Sequence, residues 1–290
     1  MAKHSGGADL PRPLYRAAST AVLSRPTAAH SGLWYDKFCR VWHDPKCRQN
    51  ETPEWQGAEC RKIEWVQTVT NQQAIGDATL ISQYAVRQKQ LVERLGGTCF
   101  PFQTESRFVT GLGREHPIEN GFAWHPTLGA PYLPGSSIKG MLRAWAIMDE
   151  QRGVADKILG CQESPEGTNG QVGMVILFDA IPLGPVKLEV DVMTPHYADY
   201  YGVGAVPGDW LSPIPIPFLV VPAGTAFQFG IAPRTADEKE HLKTVEGWLK
   251  SALQWLGAGA KTAVGYGRFE PRSSYRTCKI LNIFGKPFAG

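Results

Sequence analysis

The chain has 290 residues, 43% hydrophobic and 20% charged, enough for one large domain or two small ones with real cores. Thirty Lys and Arg against 27 Asp and Glu leave a formal charge of +3, too mild to announce nucleic acid by itself. No apolar run reaches the ~20 residues that span a bilayer, and MAKHSGGADLPRPLYRAAST lacks the apolar region of an export signal. With six scattered cysteines read as reduced thiols, the expectation is a soluble, cytoplasmic protein.

Residues 1–30, rich in Pro, Ala, Ser and Gly, read as a flexible N-terminal segment. Residues 31–97 read as a helical extension packed on the core. SGLWYDKFCRVWHDP spaces Leu33, Phe38, Val41 and Trp42 loosely as a helix and stops at Pro45. A clearer helix follows Gly76, with Leu80, Tyr84, Leu91 and Leu95 on one face and Gly96-Gly97 at its end.

From residue 98 the rhythm changes. TCFPFQTESRFVTG alternates as a strand and gives way to a Gly-rich loop, GLGREHPIENG. A helix opens at Pro134-Gly135-Ser136 and carries Ile138, Leu142, Trp145 and Ala146. Two β-like runs follow, VGMVILFDAIPL and PVKLEVDVM, then a Pro- and aromatic-rich insertion over 195–224. TAFQFGIAP is read as a strand, DEKEHLKTVEGWLKSALQWLG as an amphipathic helix with Leu242, Val245, Trp248, Leu249 and Leu253 in the core, and VGYGRFEP as a last strand. Residues 98–271 thus reduce to a βαββαβ, ferredoxin-like α+β unit of the RNA-recognition type. Such a unit puts both helices on one face of an antiparallel sheet and leaves the other face open. Residues 272–290 form a basic tail with Arg272, Arg276, Lys279 and Lys286, a polyanion contact or a solvated end.

Two stretches carry chemistry. In LPGSSIKGMLRAW, Ser136 and Lys139 have the S-x-x-K spacing of serine acylating enzymes, but S-D-N is absent and Lys261-Thr262 is followed by Ala263 instead of Gly. The alternative reading is a capped helix start: Ser136 or Ser137 caps, the N-terminus favours an anion, and Lys139 and Arg143 share a face one turn apart. A capped helix with solvated bases is the plain version of that reading. In LGAGAKTAVGYGRF, glycines let the backbone approach a ligand and expose N–H groups to anions. Lys261 and Arg268 add charge, and Tyr266 offers a ring for base stacking. A nucleotide P-loop fails here, because Ala260 replaces the Gly before the Lys and the loop leaves a helix to open a strand. A turn that needs glycine only for close packing remains the plain alternative.

These segments resemble the RAMP superfamily of CRISPR RNA-binding proteins. Its hallmark loop, G-x-G-x-K-T-x-x-G-Y-G, is matched by Gly257, Gly259, Lys261, Thr262, Gly265, Tyr266 and Gly267, and its P-G-S-S-[IL]-K-G-x-x-R segment by the run from Pro134. VTGLGREHPIENGFAWHPTLGAPYLPGSSIKG and DVMTPHYADYYG are similar to the sixth RAMP subunit of type III-B (Cmr) effector complexes, and the resemblance covers about residues 79–271. It implies a non-catalytic subunit that caps the backbone filament near the 3′ end of the guide (CRISPR) RNA and helps hold the guide–target duplex. The implied partners are guide RNA, target RNA and other Cmr subunits, namely the backbone RAMP subunit and the small helical subunit. No membrane and no cofactor is implied. The residues expected to contact RNA are Arg114, Ser136, Ser137, Lys139, Arg143, Gly257, Gly259, Lys261, Thr262, Tyr266 and Arg268.

Some relatives process guide RNA with a loop histidine, so a metal-independent endoribonuclease using His116 or His125 is the alternative function. Cys39, His43, Cys47 and Cys60 have the chemistry for zinc but no C-x2-C knuckle, and buried thiols are the expectation. Tyr197, Tyr200, Tyr201 and Trp210 of the insertion can wedge between bases or pack on a neighbouring subunit.

Overall fold

The computed structural model describes residues 29–39, 59–71, 74–116, 118–161, 170–194 and 215–272. Outside the described residues lie nearly all of segment 1–30, His43 and Cys47, the four aromatic residues of the insertion, and the tail beyond Arg272. In chain order the elements are α1 (Ser31–Lys37), α2 (Glu59–Thr70), α3 (Ala78–Arg94), β1 (Thr98–Thr104), α4 (Gly135–Met148) and α5 (Arg152–Leu159). Short strands follow: β2 (Gly160–Cys161), β3 (Gln171–Val172), β4 (Val175–Leu177) and β5 (Ile181–Pro182). The C-terminal half has β6 (Glu189–Met193), β7 (Ile216–Val220), β8 (Ala226–Pro233), α6 (Leu242–Trp255) and β9 (Phe269–Pro271), with 3-10 turns at Ala236–His241 and Thr262–Val264.

The main sheet runs β4–β8–β1–β9, every neighbouring pair antiparallel, and β5 also lies beside β8. β8 is almost continuously buried because helices cover it on both sides. On one side Phe102, Phe108, Phe227, Phe229 and Phe269 meet edge to face, with centroids 5.3–5.8 Å apart. There α6 lies on β8 and β9, and α4 on α6 and β4. The expected inward residues Ile138, Leu142, Ala146, Val245, Trp248, Leu249 and Leu253 are buried in this core. α1 and α2 join it through Trp34, Tyr35, Trp65, Val66 and Val69. Cys39 is buried there too, while the side chain of Cys60 is not among those described.

The second face of the sheet is not open, contrary to the sequence expectation. α3 lies across β1 and β8. Gln228, 1% exposed, donates through Nε2 to the Ala85 carbonyl and to Gln88 Oε1, each at 2.9 Å, and Gln88 Nε2 donates to the Asp179 carbonyl at 2.8 Å. Gly230 permits the approach, since a Cβ there would stand 3.1 Å from Val92 Cγ2. The buried stripe of α3 is therefore Ile81, Ala85, Gln88 and Val92. The stripe read from hydropathy lies beside it: Leu80, Leu91 and Leu95 are exposed, and Tyr84 is half-buried against His125.

Three further corrections concern strands. VGMVILFDAIPL is two strands, β4 and β5, set against different stretches of β8. The run PVKLEVDVM does not enter the main sheet; its strand β6 pairs with β7 as a separate ribbon, from Glu189↔Val220 to Met193↔Ile216. β7 itself falls inside the stretch 195–224 expected to be irregular. α5 and the β2–β3 pair have no counterpart in the sequence reading. Among the described residues no helix is long and apolar enough to cross a membrane.

Candidate nucleic-acid interface

α4 starts two or three residues earlier than a cap at Ser136 or Ser137 would have it. Pro134 is the N-cap, and the Gly135 N–H donates to Asp179 Oδ1 at 2.7 Å. Neither Ser136 nor Ser137 caps the helix, because an acceptor 44 residues away in sequence already takes the first orphan donor. Asp179 also sets a carboxylate at the positive end of the helix, where the sequence reading put a phosphate. Lys139 and Arg143 do not act as a pair. Arg143 Nη1 meets Asp156 Oδ1 of α5 at 2.5 Å, and its Nη2 donates to the Gly160 carbonyl. Lys139 is exposed, as are Ser136 and Ser137.

The Gly-rich loop is held by its backbone. Ala258 N donates to Gly267 O at 2.8 Å, Ala260 N to Val109 O at 2.8 Å, and Gly267 N to Arg107 O at 2.7 Å. A Cβ on Gly267 would lie 1.9 Å from the Ala258 carbonyl oxygen, so close packing accounts for this glycine. Lys261 is left-handed at φ 59°, an unusual state for a residue with a side chain. Among the described residues, the N–H groups of Lys261, Thr262 and Ala263 have no backbone acceptor, as at the start of any helical turn.

The two motifs converge. A cleft of about 500 Å³ opens between α4, the Gly-rich loop and the loop 110–113. Ser137, Gly140 and Ala144 line it from α4, Gly257, Gly259, Ala260 and Thr262 from the Gly-rich loop, and Thr110 to Gly113 from the third side. Among the described residues no charged side chain lines it, and the polar side chains are the hydroxyls of Thr110, Ser137 and Thr262. Gly113 and Gly140 have open space where a Cβ would sit and no positive φ, so no contact among the described residues demands glycine at either position.

Other expected residues stand outside it. Lys261 Nζ lies 5.5 Å above the Phe218 ring. Arg268 is turned away, donating through Nη1 to the Gln254 carbonyl at the end of α6. Tyr266 is half-buried, and its hydroxyl donates to Asp191 Oδ2 at 2.6 Å. Arg114 is exposed just beyond the 110–113 lip, where its charge acts on Asp36. The sequence reading missed Thr110, Gly113 and Gly140. A glycine inside a helix that is otherwise well formed was the available signal for the last.

The histidines of the ribonuclease alternative are committed to the fold. His116 Nδ1 accepts the Ile118 N–H at 3.3 Å, its Nε2 meets the Tyr35 carbonyl at 3.0 Å, and its ring stacks on Tyr35 at 4.5 Å. His125 is 3% exposed, and its Nδ1 accepts the N–H groups of Thr127 and Leu128 at 3.3 and 3.2 Å.

Fold and site define an α+β protein with a covered antiparallel sheet and a Gly-rich loop that closes one wall of an uncharged cleft. A profile described as the RAMP superfamily matches residues 101–270, and the chain belongs to that family. Within it the chain is similar to the CRISPR system Cmr subunit Cmr6 of Pyrococcus furiosus, 31% identical over 249 residues that cover 65% of this chain and 72% of that protein. Cmr6 of Saccharolobus solfataricus is 27% identical over 199 residues, covering 66% of this chain and 64% of that one. A chain in the cryo-EM structure of the type III-B Cmr-beta complex bound to cognate target RNA shares the fold, with TM-score 0.59 at 24% identity over 74% of this chain and 73% of its own.

Proposed function

We propose that the chain is a structural RNA-binding subunit of a type III-B CRISPR (Cmr) complex, with the cleft between α4 and the Gly-rich loop as its seat on the guide RNA. The observation that carries this reading is the convergence of two motifs, far apart in sequence, on one cleft. Lysines outside the cleft suit phosphates, and hydroxyls with bare Cα atoms inside it suit ribose or base edges. Likeness to Cmr6 supports membership of the complex. The scaffold is read as ferredoxin-like, supported by the order β4–β8–β1–β9 with one helix before β4 and another before β9.

In this role the chain caps the backbone filament near the 3′ end of the guide and helps hold the guide–target duplex, inside the cell, next to the backbone RAMP subunit and the small helical subunit. The role is non-catalytic: the packing of His116 and His125 leaves neither poised as a general acid or base. Tagging the chain in its native cells and sequencing the RNA that co-purifies tests the proposal. Guide RNAs should be recovered with the other Cmr subunits in one particle; recovery of neither overturns the assignment.

A further inference from the structure

The signature tyrosine of the Gly-rich loop serves another part of the molecule. Tyr266 Oη donates to Asp191 Oδ2, which sits on β6. The same oxygen accepts from Arg107 Nη1 at 2.9 Å, and Arg107 Nε lies 3.4 Å from Glu189 Oε2, also on β6. Arg107 grips the loop as well, since its carbonyl accepts the Gly267 N–H. Apolar contacts follow the same path. Val109 with Phe218 and Val220 of β7 forms a small core of its own, and Met193, Ala260 and Tyr266 pack on it.

A phenylalanine at 266 would fill that space equally well, so the hydroxyl is there for the bond it makes. That bond has a definite sense. Burial and the Asp191 carboxylate push the Tyr266 phenol up to about 12. Burial alone would raise the Asp191 carboxyl, but the bonds from Tyr266, the Val192 N–H and Arg107 hold it below its ordinary value. The phenol is the donor and the carboxylate the acceptor throughout the neutral range.

We propose that Tyr266 and Asp191 are positioning residues whose hydrogen bond fixes the Gly-rich loop to the β6–β7 ribbon, so that RNA contact at the loop and the placement of the ribbon are one coupled event. This deepens the RNA-binding role proposed for the loop and rests on it. Coupling is reciprocal: RNA held by the loop steadies the ribbon, and a steady ribbon strengthens the hold on RNA.

The test uses the full chain as wild type, Y266F, D191A and the double variant, with a single-stranded RNA oligonucleotide as probe. Hydrogen exchange of the β6 and β7 amides and RNA affinity by fluorescence anisotropy are both measured. Each single variant should speed exchange of those amides and weaken RNA binding, about 5-fold for Y266F, which loses one partly buried hydrogen bond to a carboxylate, and at least as much for D191A, which also loses the Arg107 pair. Because D191A already removes the Tyr266 bond, adding Y266F to it should cost little more, so the double variant should fall well short of the product of the two single effects. RNA should slow exchange in the ribbon of the wild type and fail to do so in Y266F. Lys139→Ala serves as control, lowering affinity with ribbon exchange unchanged. Wild type that binds RNA with no change in ribbon exchange, or single effects that multiply in the double variant, overturns the coupling. Wild type that binds no RNA at all overturns the functional reading first, and ribbon exchange in the RNA-free variants then reports whether the strut exists.

Discussion

Gly259 and Val109 meet backbone to backbone: a Cβ built on Gly259 would stand 2.0 Å from the Val109 carbonyl oxygen, which also accepts the Ala260 N–H. Gly259 is left-handed as well, at φ 84°. Neither a carbonyl in a backbone hydrogen bond nor a left-handed turn yields cheaply to a methyl group. Gly259→Ala should therefore cost about 2–3 kcal/mol of folding stability and loosen the loop from the cleft. Urea unfolding checks the first effect and RNA affinity the second. An unchanged unfolding midpoint would contradict this packing.

Gly140→Ala should move the same two measurements in opposite directions. Gly140 lies inside α4, where glycine costs ~1 kcal/mol relative to alanine, and a methyl there meets nothing within 4 Å. The variant should unfold at higher urea concentration. The methyl would project into the cleft, however, and overfilling a fitted site costs ~1–3 kcal/mol, so RNA affinity should fall about 10-fold. A variant both more stable and equally tight would show that RNA lies elsewhere.

Four of the five bases that the sequence assigned alike to RNA separate into two kinds. Lys139 is exposed and Lys261 is half-buried without an ion pair among the described contacts, whereas Arg143 is held by Asp156 and Gly160, and Arg268 by Gln254. Replacing both lysines with alanine should weaken binding and flatten the plot of log affinity against log salt by ~1.4, about 0.7 for each phosphate released from single-stranded RNA. Arg143→Ala should leave that slope alone and instead lower stability by about 1 kcal/mol, through a charged hydrogen bond and an ion pair that are both partly exposed. Equal slopes for all variants would contradict the division.

What the sequence could show was local. The Gly-rich loop, Ile138 and Leu142 on α4, and Val245, Trp248 and Leu249 on α6 follow from spacing and periodicity, and the structure bears them out. The errors arise where a distant residue decides the outcome. Asp179 takes the donor that a serine cap would have taken, and Asp156 takes Arg143. On α3 the buried face includes Ala85 and Gln88, which no hydropathy pattern marks, because Gln228 and Gly230 on β8 prepare a surface for a small residue and an amide. Leucines nearby made the wrong stripe the more apolar one.

His125 gives the protein a pH signature that can be read without RNA. Its ring sits between Tyr84 and Tyr132, at centroid distances of 4.9 and 5.3 Å, and its Nδ1 is an acceptor, which requires the neutral imidazole. Burial lowers its pKa, the nearby His30 adds to the effect, and Asp179 opposes it. In the unfolded chain the imidazole titrates near ~6.5. Above that pH both states are neutral and the group contributes no pH dependence. As pH falls through ~6.5 the unfolded chain takes up a proton that the folded chain refuses, so stability drops until the depressed native pKa is reached. Thermal unfolding should occur at lower temperature at pH 5.5 than at pH 7.5. His125→Asn keeps an acceptor for Thr127 and Leu128 but cannot titrate, so the difference between the two pH values should shrink. An equal difference in wild type and variant would mean that another group carries the pH dependence.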